Sequence, residues 1–199
     1  MNNTKKKLLI TGFDPFGGQT INPSWEAVSS LPDIIGDYNI IKLQIPTKFD
    51  HASACVLKHA SMLAPDVILC IGQAGGRDAV TPETIGINLR EASIPDNAGY
   101  QPMNVPVVTG AREAYFATVP IRDMVTKMRS YSIPARLSYS AGTFVCNDVL
   151  YRLLHEFHNT DTRVGFIHVP YLPEQAKSTE PSLPLEKIVE AMTACIQVL

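Results

Sequence analysis

The sequence predicts an α/β domain, and three observations carry that expectation. Short apolar, β-branched runs alternate with segments of helical period. Several of those runs are apolar on both faces, as a sheet covered by helices on both sides requires. A length of 199 residues, 45% hydrophobic and 18% charged, suits one domain with a sizeable core and excludes a disordered chain. Seventeen Lys and Arg against 19 Asp and Glu leave a formal charge of −2, so no global basic field exists to hold nucleic acid.

Each element follows from a local pattern. Lys5, Lys6 and Lys7 precede Leu8, Leu9 and Ile10, which resembles the start of a signal peptide. The apolar stretch is too short for one and lacks a small-residue cleavage site, so Lys7 to Thr11 is read as the first strand. Asn22-Pro23 offers an N-cap and a first-turn proline for a helix that turns Trp25 and Val28 inward. A strand over Ile40 to Ile45 comes next. The following helix carries Cys55, Val56, Ala60 and Leu63 on one face and stops at Pro65. Val67 to Ile71 and Thr84 to Leu89 are read as strands. Ala92 to Gly110 is a loop rich in Pro, Gly and Asn, and a loop of that length inside a domain is usually functional. Glu113 to Arg129 is read as helical and divided by Pro120. After a strand over Ala135 to Tyr139, the residues Cys146, Val149, Leu150, Leu153 and Phe157 form an i, i+3, i+4, i+7 stripe. Val164 to Val169 is the last strand, and a helix carrying Leu185, Ile188, Val189, Met192, Cys195, Ile196 and Leu199 closes the domain. No run of about 18 apolar residues occurs, so no membrane span is expected. With neither export signal nor span, the reading is a cytoplasmic protein whose four cysteines are free thiols.

The cysteines form no CxxC or Cys/His metal spacing. Cys55 and Cys195 lie on apolar helix faces and Cys70 stands within Val-Ile-Leu-Cys-Ile, so all three read as small buried hydrophobes. Cys146 follows a strand-like segment and the small-residue turn Ser140-Ala141-Gly142-Thr143, in the first turn of a helix. Two readings stand: it begins the apolar stripe and is packed, or it is a nucleophile whose thiolate is stabilised by the positive end of the helix. Helix amides there also suit a developing oxyanion.

Among the histidines, His51, His59, His155 and His158 lie on helices where solvated roles suffice, and His155-Glu-Phe-His158 is not HExxH. His168 differs, because it ends an apolar strand just before Pro170, at the edge where open α/β sheets place their sites. It is either a satisfied core histidine or a base for Cys146. Glu83, after the turn Gly72 to Gly76, is either a solvated acid or the carboxylate that orients that base. The glycine turns Gly12 to Gly18 and Gly72 to Gly76 match neither GxGxxG nor the P-loop pattern, so a nucleoside or phosphate-ester enzyme lacks its motif.

Five separated stretches occur in one order over nearly the whole chain: TGFDPFGG with INPSWEA, GQAGGR followed by TPE, IPDN, SAGTFVCN and GFIHVPYLPEQ. In these the chain resembles the pyroglutamyl peptidase type I family of cysteine peptidases. The resemblance implies a three-layer α/β/α sandwich around a twisted, mostly parallel mixed sheet, one domain over residues 1–199, assembled as a homo-oligomer, dimer or tetramer. It implies Cys146 as nucleophile, His168 as base and Glu83 as third member, with no metal or cofactor. It also places Phe13, Phe16, Asn22, Gln73, Phe144 and Val145 around the ring of an N-terminal pyroglutamyl residue. Such peptides would be its partners, with no nucleic acid and no membrane.

The residue types suit that substrate. Pyroglutamate is a neutral five-membered lactam, so its pocket needs apolar walls, which Phe13 and Phe16 supply, and a few placed amides. Asn22 and Gln73 carry both donors and acceptors for the lactam N–H and C=O. One departure stands out: relatives in this family read ARIPDN where this chain reads Ala92-Ser93-Ile94-Pro95-Asp96-Asn97, and Ser93 supplies neither charge nor a fork of donors. The expectation is lower turnover or a shifted pH dependence, with Arg90 as a partial substitute. A pyroglutamyl-binding protein with impaired catalysis is the runner-up, and retention of Glu83, Cys146 and His168 argues against it.

Overall fold

A computed structural model describes residues 5–199; residues 1–4, at the head of the amino-terminal stretch considered above, lie outside it. Strand β1 (Lys6–Phe13) runs parallel between β3 (Tyr38–Ile45) and β4 (Val67–Gln73), and β4 pairs in parallel with β8 (Arg163–Val169). Two short strands finish the edges antiparallel, β2 (Ile34–Ile35) on β3 and β5 (Thr81–Pro82) on β8. The order is β2-β3-β1-β4-β8-β5, a mostly parallel mixed sheet.

The central strands are apolar on both faces because both faces are covered. Side chains alternate along a strand, so Leu8 and Ile10 of β1 and Leu69 and Ile71 of β4 enter one core, with Leu9, Ile68 and Cys70 in the other. Helices α1 (Pro23–Ser29), α3 (Ile121–Ser130) and α5 (Leu185–Ile196) cover the first face through Val28, Met124 and Ile188. Helices α2 (His51–Leu63) and α4 (Val145–Phe157) cover the second through Val56 and Val149. The result is a three-layer α/β/α domain. Asn22 caps α1 as its sequence suggests, its side chain accepting from the Ser24 N–H at 3.1 Å. At the other end of α2, Ala64 adopts a left-handed conformation (φ 45°) just before Pro65. Among the described residues no helix is long and apolar enough to cross a membrane.

Three segments differ from the sequence reading. The apolar run at Thr84 to Leu89 leaves the main sheet: β6 (Ile85–Ile87) pairs antiparallel with β7 (Ala114–Phe116) as a separate two-stranded sheet. That second strand lies where a helix was expected over Glu113 to Arg129. Proline restrains the residue before it to extended backbone and is tolerated at a helix start, so Pro120 begins α3 rather than dividing a longer helix. Ala135 to Tyr139 makes only isolated parallel bridges, Val80 with Ala135 and Glu83 with Ser138. The Ala92 to Gly110 loop is tied back to the sheet edge: the Asn97 N–H donates to the Thr47 carbonyl at 3.0 Å, and the Phe49 N–H donates to Asp96 at 2.9 Å.

Candidate active site

Parallel strands end at one edge, and β1, β4 and β8 bring Phe13, Gln73 and His168 there together. Beside this edge α4 begins, with Cys146 its second residue. Gly142 enters the preceding turn at φ 77°, a conformation that favours glycine. A second glycine lets the cysteine come close. A Cβ on Gly72 would lie 3.0 Å from the Cys146 sulfur and 2.7 Å from the Phe166 ring. The half-buried thiol is pushed up to about 12 by burial first, then by the charge of Glu83, with Arg77 acting in the opposite sense.

His168 is 3% exposed and Glu83 fully buried, and the imidazole Nδ1 meets Glu83 Oε1 at 2.7 Å. A carboxylate at Nδ1 selects the tautomer protonated there, which leaves Nε2 as the acceptor. Burial pushes the imidazole below its ordinary value, against the pull of Glu83. Glu83 is held in turn by its own N–H, which donates to the Phe166 carbonyl at 2.9 Å. The Arg77 guanidinium donates to the same Oε1 at 2.7 Å. The sequence reading had the glycine turn and the acid but not Arg77. Its only sequence signal is its place at the end of that turn, six residues before Glu83.

Cys146 and His168 line one cavity of about 210 Å³. That is below the roughly 300–1,000 Å³ of pockets that take drug-sized ligands, and suits a single ring-sized residue. Of the residues expected around such a ring, Phe13, Phe16, Asn22, Gln73 and Phe144 line it. Phe16 and Phe144 face each other with centroids 6.2 Å apart, and Phe49 backs Phe144 edge-on at 5.3 Å. Val145 is elsewhere: its side chain is fully buried in the core between α2, α4 and the sheet. Thr47, Ala74, Arg77, Ala141 and Gly142 complete the wall; Ala74 and Arg77 belong to the glycine turn after β4 and Ala141 and Gly142 to the small-residue turn before α4, whereas no sequence pattern marked Thr47.

The two amides offer less choice than their chemistry allows. Asn22 Oδ1 accepts from both the N–H and the hydroxyl of Ser24, at 3.1 and 2.8 Å, and its Nδ2 donates to the Asp14 carbonyl at 2.9 Å. One N–H remains. Gln73 Oε1 accepts from Gln175 Nε2 at 3.2 Å, which leaves its NH₂ group for the cavity. Both amides therefore present donors, matched to an acceptor such as a lactam carbonyl.

Other expected residues lie apart. Ser93 is exposed on the loop and does not line the cavity. Arg90 does not stand in for a guanidinium there, because it is buried against Asp148 at 2.6 Å and Asp50 at 2.5 Å. His51, His59, His155 and His158 are absent from the cavity wall. Cys70 and Cys195 are buried, as expected of small hydrophobes, while Cys55 is half-buried.

Comparison with known proteins finds relatives of the whole chain. A family profile described as pyroglutamyl peptidase matches residues 6–199. The chain is 48% identical over 195 residues to a pyrrolidone-carboxylate peptidase of Enterococcus faecalis, covering 96% of this chain and 92% of the relative. It is equally 48% identical, over 196 residues and with the same coverage, to one from Staphylococcus aureus. Among solved structures, pyroglutamyl peptidase I of Bacillus amyloliquefaciens superposes with a TM-score of 0.94 at 45% identity, over 98% of this chain and 96% of the other. A pyrrolidone carboxyl peptidase from Thermococcus litoralis gives 0.92 at 34% identity, over 97% and 92%.

Proposed function

The chain belongs to the pyroglutamyl peptidase family, cysteine peptidases that remove pyroglutamate from the amino terminus of peptides, and we propose that it does so with Cys146 as nucleophile, His168 as base and Glu83 as orienter of the base. One observation carries this reading. The buried Glu83–His168 hydrogen bond of 2.7 Å aims an imidazole into the cavity that also exposes Cys146 at the start of α4.

The resting pair is a neutral thiol and a neutral imidazole, since burial raises the one and lowers the other. His168 Nε2 takes the thiol proton as the sulfur attacks the carbonyl carbon that joins pyroglutamate to the next residue. Negative charge moves to the carbonyl oxygen, where the free amides of the first turn of α4 can hold it. The tetrahedral species collapses, the C–N bond breaks, and the leaving amine takes its proton from His168. His168 then deprotonates a water that attacks the thioester, freeing pyroglutamate and returning the proton to sulfur. Through both halves Glu83 faces the imidazolium.

In the pocket, Phe13, Phe16 and Phe144 pack the ring while the Asn22 and Gln73 donors meet the lactam carbonyl. A prolyl terminus lacks that carbonyl and leaves both donors unpaired in a buried site, which is a strong basis for rejection. A half-buried nucleophilic thiol must stay reduced, which supports a cytoplasmic setting. Assembly as a dimer or tetramer belongs to the same proposal, supported by apolar surface such as Phe116, 70% exposed on β7. Acid-quenching the enzyme during turnover of a pyroglutamyl amide tests the chemistry. Mass spectrometry should then find one pyroglutamyl group on the peptide containing Cys146. Acylation of another residue would overturn the assignment.

A further inference from the structure

Arg77 joins three segments of the site. Its guanidinium donates to Glu83 Oε1 at 2.7 Å, to the Thr81 hydroxyl, and to the Ser140 carbonyl at 3.2 Å, and its side chain lines the cavity with Cys146 and His168. Glu83 is fully buried, and its Oε2 has no partner among the described residues. The single oxygen that meets the His168 imidazole is therefore also the one that meets the cation. An ionised carboxylate survives such burial only when it is paired. The bond to Ser140 ties the glycine turn after β4 to the loop that leads into α4 and Cys146.

Resting on the reading of Glu83, His168 and Cys146 given above, we propose that Arg77 is a positioning residue for this reaction. It holds the Glu83 carboxylate turned toward His168, and acts on turnover through that carboxylate rather than by touching substrate. Its fork of donors reaches the carboxylate, the hydroxyl and the carbonyl together, which a lysine ammonium cannot do with the same geometry. Among the described residues, Arg77 is the arginine that lines this cavity.

The charged and titratable groups facing the reacting pair are Glu83 and Arg77 from the segment after β4, Cys70 from β4, and Cys146 and His168 themselves. Glu83 pulls the imidazole up and Arg77 pushes it down. Removing the cation while Glu83 stays therefore raises the imidazole, and the acid limb of kcat/KM should move to higher pH. A plain structural staple would leave that limb in place.

The test is a cycle of Arg77→Met, Glu83→Gln and the double variant on a pyroglutamyl amide, with kcat, KM and the pH profile measured for each. Arg77→Met should lose about tenfold or more in kcat with KM changed by less than about twofold, and in the Glu83→Gln background it should cost less than about twofold. Arg77→Lys keeps the cation and should keep the wild-type acid limb while losing part of kcat. Effects that multiply fully, or an acid limb that stays or moves down in Arg77→Met, would overturn the proposal. If Arg77→Met does not fold, wild-type kcat in Arg77→Lys overturns the claim for the fork. Iodoacetamide alkylation of Cys146, followed by peptide mass, reads the same electrostatics without turnover. It should slow in Arg77→Met, because the cation favours the thiolate, and an unchanged rate would overturn the proposal even if hydrolysis itself is absent.

Discussion

The Cys146 sulfur rests against the backbone of Gly72, with 3.0 Å between it and the position a Cβ would take. The same Cβ would press on the Phe166 ring at 2.7 Å, and that ring packs on His168 with centroids 4.8 Å apart. Gly72→Ala therefore pushes on both partners of the proposed reaction at once. We expect a loss of about 1–3 kcal/mol in stability, as for other overpacked cores, together with a fall in kcat. Urea unfolding and steady-state kinetics check it, and wild-type values in both would show that the site yields more easily than its packing implies.

Thiol chemistry gives a second expectation. Burial pushes the Cys146 thiol up and the His168 imidazole below its ordinary value, both in the direction of the neutral pair that the proposed mechanism starts from. Alkylation of Cys146 by iodoacetamide in the absence of substrate should thus rise about tenfold per pH unit through the neutral range. A rate plateau extending to acid pH would reveal a preformed ion pair and contradict the neutral resting state.

In the proposed binding mode, substrate orientation depends on a residue outside the cavity wall. Gln175 donates to Gln73 Oε1 and to the Ile21 carbonyl, both at 3.2 Å, and accepts from the Leu172 N–H at 3.1 Å, so three contacts fix which end of Gln73 faces the ligand. Gln175→Leu frees that amide to turn. The expected result is a rise in KM larger than the fall in kcat, with a loss in kcat/KM of roughly 2- to 10-fold, the worth of one hydrogen bond. An unchanged KM would show that Gln73 does not need its partner.

Away from the cavity, Arg90 pairs with Asp148 Oδ1; the Asp148 side chain is fully buried in the first turn of α4, and its Oδ2 has no hydrogen-bond partner among the described residues. Arg90→Met leaves that carboxylate buried alone. The expected cost is about 3–5 kcal/mol in denaturant unfolding. A change below about 1 kcal/mol would mean that Asp148 finds water or another donor in the variant.

The sequence was most legible where one physical requirement dominated. The doubly apolar strands, the Asn22-Pro23 helix start and the stripe of α4 were readable because burial, capping and helical period each leave a local signature. Cys146 and His168 were marked by position, one at a helix start and one at a strand end, and Glu83 by following a glycine turn. What pattern could not reach was pairing between distant segments. Thr84 to Leu89 has strand composition whether it joins the main sheet or leaves it for Ala114 to Phe116. Arg90 reads as a partial substitute for the arginine missing at position 93 until Asp148, 58 positions away, is seen beside it. Arg77 and Gln175 likewise gain their meaning only from the side chains they hold. Asn22 and Gln73 were expected to offer donors and acceptors alike, and only their neighbours in space show which ends are already taken.

The most direct measurement is release of a fluorescent amine from a pyroglutamyl amide, run beside the corresponding prolyl amide and beside Cys146→Ala. The account predicts hydrolysis of the pyroglutamyl substrate alone, and its loss in a variant that remains folded by circular dichroism. Comparable hydrolysis of the prolyl amide would contradict the reading of the lactam carbonyl by Asn22 and Gln73, and turnover by folded Cys146→Ala would contradict the nucleophile.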